Sequence, residues 1–438
     1  MELQTLWFLS GAIFLIGYIA IVLEHKLRIN KSGTAILTGV ILWLLTTWFF
    51  TEGGHDVGEA LGHETQEIFG IVVFLLAAMT IVEVLVHYHF FTWIQHKIIE
   101  KKISQTKLFW LLGALTFIFS AFLDNLTTTL IMIQIGRKIY KDKDNFLIFV
   151  VNTVIAANAG GAASPIGDVT TIMLWLANKF TAVQVISIGI LPAIAAWVVP
   201  QYFMGKKIKA HETAELENPS ASPADEKYHK PYWPAIILGM VSFTFPVAAN
   251  LMGLPPFLGL LAGVGLLWVF IDYQASRNGH KNPTHEGSQI VKVIQKTDIT
   301  TLKFFIGILL AVGALSHIGL LGELSLALFG ADPSIVRLVV GNTIMGAASS
   351  VFDNVPLVAA AIKMFTIDLS PAIWVLLAIT AGTGGSMLVV GSAAGVAAMG
   401  QVKELTFGYY LKKGTIPAIL GYIAGVFVWI GVYAVFFA

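Results

Sequence analysis

The chain contains no cysteine. That absence excludes disulfides, thiolate metal sites, iron–sulfur clusters and cysteine nucleophiles, and with them redox chemistry on the protein's own thiols. Charge is scarce too: Asp, Glu, Lys and Arg make up 12% of the 438 residues, against about 25% in a soluble domain. Catalytic signatures such as HExxH and GxSxG do not occur, and neither Ser386 nor Ser392 has a histidine placed to activate it, so the pattern is not that of an enzyme. Nothing suggests nucleic-acid binding, and a net charge of +1 names no partner. What is abundant is apolar: 56% of residues are hydrophobic and the mean hydropathy is +0.78. This is the composition of an all-α polytopic membrane protein, with lipid as its first partner.

Crossing a hydrocarbon core takes about 17–25 apolar residues. Runs of that character cover Leu6–Leu23, Thr34–Phe50, Ile68–Val86, Val183–Phe203, Trp233–Leu251, Phe257–Ile271, Leu302–Ile318 and Ile416–Phe437. The first run lacks the basic start and small-residue cleavage site of a secretory signal, so it reads as a true span. Of the 27 Lys and Arg, 24 fall in segments 24–32, 87–107, 137–144, 204–230, 274–303 and 400–414. Those segments are therefore expected on the cytoplasmic side. The loop 51–67 carries five acids and no Lys or Arg, as an outside loop does, and both termini are expected outside. Tryptophans 7, 48, 93, 233 and 429 fall near span ends and need only the aromatic belt as explanation. Histidines 87, 89 and 96 read as a solvated interfacial face.

Two polar islands interrupt this pattern. "SAFLDNLTTT", residues 120–129, is echoed by "SSVFDNVPLV", residues 349–358, with Asp124 and Asn125 matching Asp353 and Asn354 at an offset of 229. Residues 107–140 begin and end at basic segments, which predicts a re-entrant hairpin with its tip in the membrane. Residues 334–366 begin and end outside and predict a second hairpin of opposite orientation. Each is followed by a glycine-rich stretch, "NAGGAASPIGDVTT" (158–171) and "GTGGSMLVVGSAAG" (382–395), in which Gly160, Gly161 and Gly167 match Gly384, Gly385 and Gly391 at an offset of 224. Glycine and proline disfavour an undisturbed helix, so broken transmembrane helices are expected over 146–178, with its break at about 160–168, and over 371–399. Broken backbone at membrane depth is tolerated only where protein or a polar cavity surrounds it. The organisation that follows is a first repeat over 1–204, a cytoplasmic linker over 205–231 and an inverted second repeat over 232–438, the architecture of a secondary transporter with its site between repeats.

The candidate site residues are those of the islands and breaks: Asp124, Asn125, Thr127, Thr128, Thr129, Asn158, Ser164 and Asp168 in the first half, and Asp353, Asn354, Thr383, Ser386 and Ser392 in the second. All are hard oxygen donors, which suit small hard cations. A carboxylate at membrane depth costs roughly 2.5–3.5 kcal/mol, so it is either paired or protonated. Such a group exchanges a cation for a proton without further machinery. Glu83 is a fourth intramembrane acid and a candidate proton relay. Asp and Asn at helix starts are also ordinary N-caps, a role compatible with ion binding.

The blocks "SAFLDNLTTTLIM", "NAGGAASPIGDVTTIMLW", "SSVFDNVPLVAA" and "GTGGSMLVVGSAAGVA", in that order, resemble the NhaD-type sodium/proton antiporters, a family within the ion transporter superfamily that also holds arsenite and dicarboxylate carriers. The resemblance covers nearly the whole chain. It implies exchange of Na+ and Li+ for protons in a bacterial inner membrane, a part in pH homeostasis, no cofactor, and a homodimer whose mobile part moves as an elevator. It also implies that Asp124, Asn125, Asn158 and Asp168 hold the Na+ or Li+. The halves are not equivalent: Asp168 aligns with Ser392, and Thr127–Thr129 align with Pro356, Leu357 and Val358. An anion carrier of the same fold is the alternative; it would favour a Lys or Arg beside exposed helix starts, and the islands have none.

Overall fold

Backbone that meets hydrocarbon has to satisfy its own hydrogen bonds, so a chain of this composition is expected to be helical throughout. The computed structural model describes residues 3–50, 57–101, 103–209, 230–277, 295, 297–365 and 368–437, and every regular element among them is a helix. Most of the linker expected over 205–231, most of the loop 274–298 and the first part of the acidic loop 51–67 lie outside the described residues.

Nine helices among the described residues are long and apolar enough to cross a membrane. Eight match the apolar runs: Leu3–Val22, Lys31–Phe50, Val57–His87, Ala182–Gly205, Trp233–Leu251, Pro256–Arg277, Ile299–His317 and Phe407–Phe436. The run Trp233–Leu251 is not one continuous helix; it divides into Trp233–Ser242 and Phe245–Leu251. Pro246, which has no amide N–H to donate, opens the second piece. These helices carry large apolar side chains on their outsides, among them Phe8, Ile16, Leu37, Trp48, Val269 and Phe427, all more than 60% exposed. Exposed apolar surface of that extent belongs against lipid.

The ninth is Lys143–Ala162, the first arm of the expected broken span. From Leu147 to Ala162 every residue is buried, and Ala372 to Gly384 in the helix Pro371–Gly384 are likewise all buried. Helices apolar on all sides belong in a protein interior. These two form the centre, and they meet where Gly382 lies against Ala162.

Each central helix ends at an irregular stretch followed by a short helix: Val169–Leu176 after the first, and a 3-10 turn at Val389–Gly391 followed by Ala393–Gln401 after the second. The first break covers residues 163–168, narrower than the 160–168 expected, because Gly160 and Gly161 remain helical. Their role is close approach, not unwinding. A Cβ on Gly160 would collide with the carbonyl oxygen of Phe117, and one on Gly384 with that of Gly346.

Phe117 and Gly346 sit at equivalent points of two helix pairs, Gln105–Ser120 with Asn125–Ile139 and Ile335–Ala348 with Asn354–Met364. The agreement extends to hydrogen bonds. Ser120 Oγ donates to the Ala157 carbonyl at 2.6 Å, and Ser349 Oγ donates to the Ala381 carbonyl at 2.8 Å. Gly167 packs on the Ser120 carbonyl, and Gly391 on that of Ser349. Each helix pair is thus seated on its central helix by one and the same set of contacts.

Replacing Gly384 by Ala forces a methyl group into the Gly346 backbone, and overpacking of that kind costs about 1–3 kcal/mol. Gly400 has open space around it. Thermal unfolding in detergent is expected to show a clear fall in midpoint for Gly384→Ala and none for Gly400→Ala.

Candidate functional site

Two of the short helices begin with a capping aspartate. Asp124 Oδ1 accepts the N–H of Thr127 at 2.8 Å and Asp353 Oδ1 accepts that of Val355 at 3.1 Å. Capping sets the first turn, so the next residue in each, Asn125 and Asn354, points inward and is buried. A third helix start, that of Val169–Leu176, is capped by Asp168, whose Oδ1 accepts the N–H of Thr170 at 2.9 Å and its hydroxyl at 3.0 Å.

The three starts converge. Asn125 Nδ2 donates to Asp168 Oδ2 at 2.7 Å and to Asn158 Oδ1 at 3.1 Å. Asn354 Nδ2 approaches both oxygens of Asp168, at 3.3 and 3.2 Å. Asn158, on the central helix, turns its own Nδ2 to Ser386 Oγ at 2.9 Å and Ser392 Oγ at 3.0 Å, both in the second break. Asp168 is 1% exposed. Its donors are neutral amides and hydroxyls, and none of the ion pairs among the described residues involves it. The start of the helix Val169–Leu176 adds the positive end of a helix dipole.

The other expected residues fall into three groups. Thr128 and Thr129, three and four positions after Asn125 and so on its face of the helix, are fully buried with hydroxyls that no protein group meets. Buried hydroxyls are normally satisfied, so these two oxygens are uncommitted donors beside the network. Ser164 donates to the Ala121 carbonyl, tying the break to the end of the helix Gln105–Ser120, and Thr383 donates to the Ile379 carbonyl within its own helix. Asp124, Thr127 and Asp353 act at the helix starts, one residue or more away from the hydrogen bonds around Asp168. None of those hydrogen bonds comes from Glu83, half-buried near the end of Val57–His87.

Two residues were not singled out in the sequence. Thr170 follows Asp168 by two, the spacing of a capped turn, and was legible in principle. Tyr18 was not: its hydroxyl oxygen accepts the N–H of Asp353 at 2.6 Å from 335 positions away, and its ring packs on Phe352.

A family model described as "Citrate transporter" matches residues 18–379. Sodium/proton antiporter 1 of Arabidopsis thaliana is 36% identical over 429 residues, 97% of this chain and 72% of that protein. The Na(+)/H(+) antiporter NhaD of Halomonas elongata is 33% identical over 98% of this chain and 89% of its own length. The protein of the same name from Vibrio cholerae is 30% identical, over 97% and 91%. The chain belongs to the NhaD antiporter family. In this member of the family Asp168 is held by amides from both halves of the chain, with Asp124 and Asp353 capping the two neighbouring helix starts.

Removing an amide that satisfies a buried carboxylate costs about 1–3 kcal/mol. Asn125→Ala and Asn354→Ala are each expected to lower the unfolding midpoint. Because both amides serve Asp168, the double variant should depart from additivity by about 0.5–3 kcal/mol, measured as a double-mutant cycle in detergent.

Proposed function

We propose that this chain exchanges Na+ for H+ across a bacterial cytoplasmic membrane, with Asp168 as the group that is alternately protonated and bound to the cation. The observation that carries the reading is the environment of that carboxylate: fully buried, without a counter-charge, and ringed by neutral oxygen and amide groups from both halves. An isolated buried charge is strongly unfavourable, so the site favours either a proton on Asp168 or a small cation beside it. Competition between the two is exchange. Hard oxygen donors at Asn125, Asn158, Thr128 and Thr129 accommodate Li+ as well as Na+, and the names of the family relatives support Na+.

The anion alternative draws on the description of the matching family model. Against it, a dicarboxylate placed here would meet Asp168, with no Lys or Arg paired to that residue.

The equivalent contacts of the two helix pairs support reading them as repeated hairpins, and the distribution of Lys and Arg supports opposite orientations in the membrane. A body made of the two central helices, the breaks and the hairpins, set among lipid-facing helices, is the division an elevator movement uses. In that reading the chain works as a homodimer in pH homeostasis.

Asp168→Asn keeps the shape while removing the charge and turning one of the two acceptor oxygens into a donor amide. In everted vesicles from cells lacking other antiporters, Na+- or Li+-driven proton release is expected to disappear while the purified variant keeps its elution profile. Unchanged exchange in Asp168→Asn would remove this residue from the mechanism.

A further inference from the structure

A cavity of about 860 Å³ lies apart from the Asp168 network. Its walls include Met173 and Leu176 on the helix Val169–Leu176, and Ala359, Ile362 and Lys363 on the helix Asn354–Met364. These are the two short helices whose starts carry Asp168 and Asn354. At 1.5 Å per residue, Met173 and Ala359 each stand five residues, about 7–8 Å, along their helices from the site. The cavity therefore begins about one and a half turns along these helices from the site, on the side where both present their negative ends.

At its rim Lys363 Nζ is gripped by Glu64 Oε1 at 2.7 Å and Glu67 Oε2 at 2.6 Å. The lysine side chain is 19% exposed and that of Glu64 13%. Glu64 lies against Gly313, where a Cβ would stand 2.7 Å from its carboxylate. His63, Glu64 and Glu67 are close enough together to suggest a metal site, but the ammonium of Lys363 is already bound to both of those glutamates. The second ammonium of the cavity, Lys179, sits over the ring of Trp374 at 4.9 Å.

We propose that this cavity is the aqueous chamber through which the cation reaches Asp168 from the outer face, and that Glu64 and Glu67 set its selectivity by together outweighing the single charge of Lys363. The inference rests on the exchange reading above. Lys363 lies nine residues beyond Asn354, about 14 Å along the helix, and an unneutralised charge at that range weakens cation binding about two- to sevenfold for effective dielectrics between water and protein interior.

The test has two arms. Because the chain has no cysteine, Ile362→Cys and Met173→Cys each introduce the sole thiol. Both are expected to react with a membrane-impermeant thiol reagent added outside intact cells. Reaction from the cytoplasmic side only, or reaction only after denaturation, overturns the chamber.

In the second arm, Glu64→Gln, which removes one of the two negative charges, is expected to raise the half-saturating Na+ concentration about two- to sevenfold in right-side-out vesicles and to leave it unchanged in everted ones. Adding Lys363→Met should restore the wild-type value, which loss of a merely structural ion pair would not do. An equal rise on both sides, no rise, or failure of the rescue overturns the charge argument. Absence of Na+-dependent exchange in the wild type would instead overturn the exchange reading, and the labelling would still decide the chamber.

Discussion

A carboxylate with no counter-charge among the described residues, buried where no solvent reaches it, is the constraint around which this protein is arranged. Asp168 accepts hydrogen bonds from Asn125, Thr170 and Asn354, residues of three segments far apart in the chain. No single helix can supply that set. Side chains leave a helix radially, so a group inside a continuous helix meets neighbours on one side only, whereas a helix start is open in front. Meeting the needs of Asp168 therefore calls for several helix starts at one depth, and so for interrupted helices. The paired short helices and the breaks follow from this.

Interrupted helices expose backbone, and exposed backbone in an apolar setting has to be covered closely. Here the glycines act. Gly160 and Gly384 let the carbonyls of Phe117 and Gly346 come against the central helices, and Ser120 and Ser349 fasten the same junctions by hydrogen bonds. The two halves solve the packing problem alike but differ in charge. Where the first half places Asp168, the second places Ser392, which serves as an acceptor for Asn158.

The hydropathy of the chain was enough to read the spans, since each needs only about twenty apolar residues, and the islands stood out because polar residues in such runs are costly. The breaks were legible as glycine clusters, but Gly160 and Gly161 were read as unwinding when they serve close packing. Both uses follow from the missing Cβ, and only the neighbour in space separates them. Within the islands the aspartates drew attention by their charge, yet it is Asn125 and Asn354, one residue on, that reach Asp168. A one-residue step rotates a helical side chain by about 100°, and the capping geometry that fixes the rotation is not visible in composition. Tyr18 had no local signal, because its role depends on a contact 335 positions away.

The polarity of the short helices bears on how tightly an ion is held. Three of them present their positive ends to the network around Asp168, which offsets the charge of the carboxylate but disfavours a cation beside it. A site built for permanent retention would turn carbonyl-bearing helix ends toward the ion. Here the ends are helix starts, whose positive dipoles work against a cation beside Asp168 although Asp124 and Asp353 cap two of them, so binding is limited in strength. For a carrier that limit is an advantage, since an ion must leave as readily as it enters. On the exchange reading proposed above, binding near balance lets a modest change in proton concentration decide which of the two occupants Asp168 keeps.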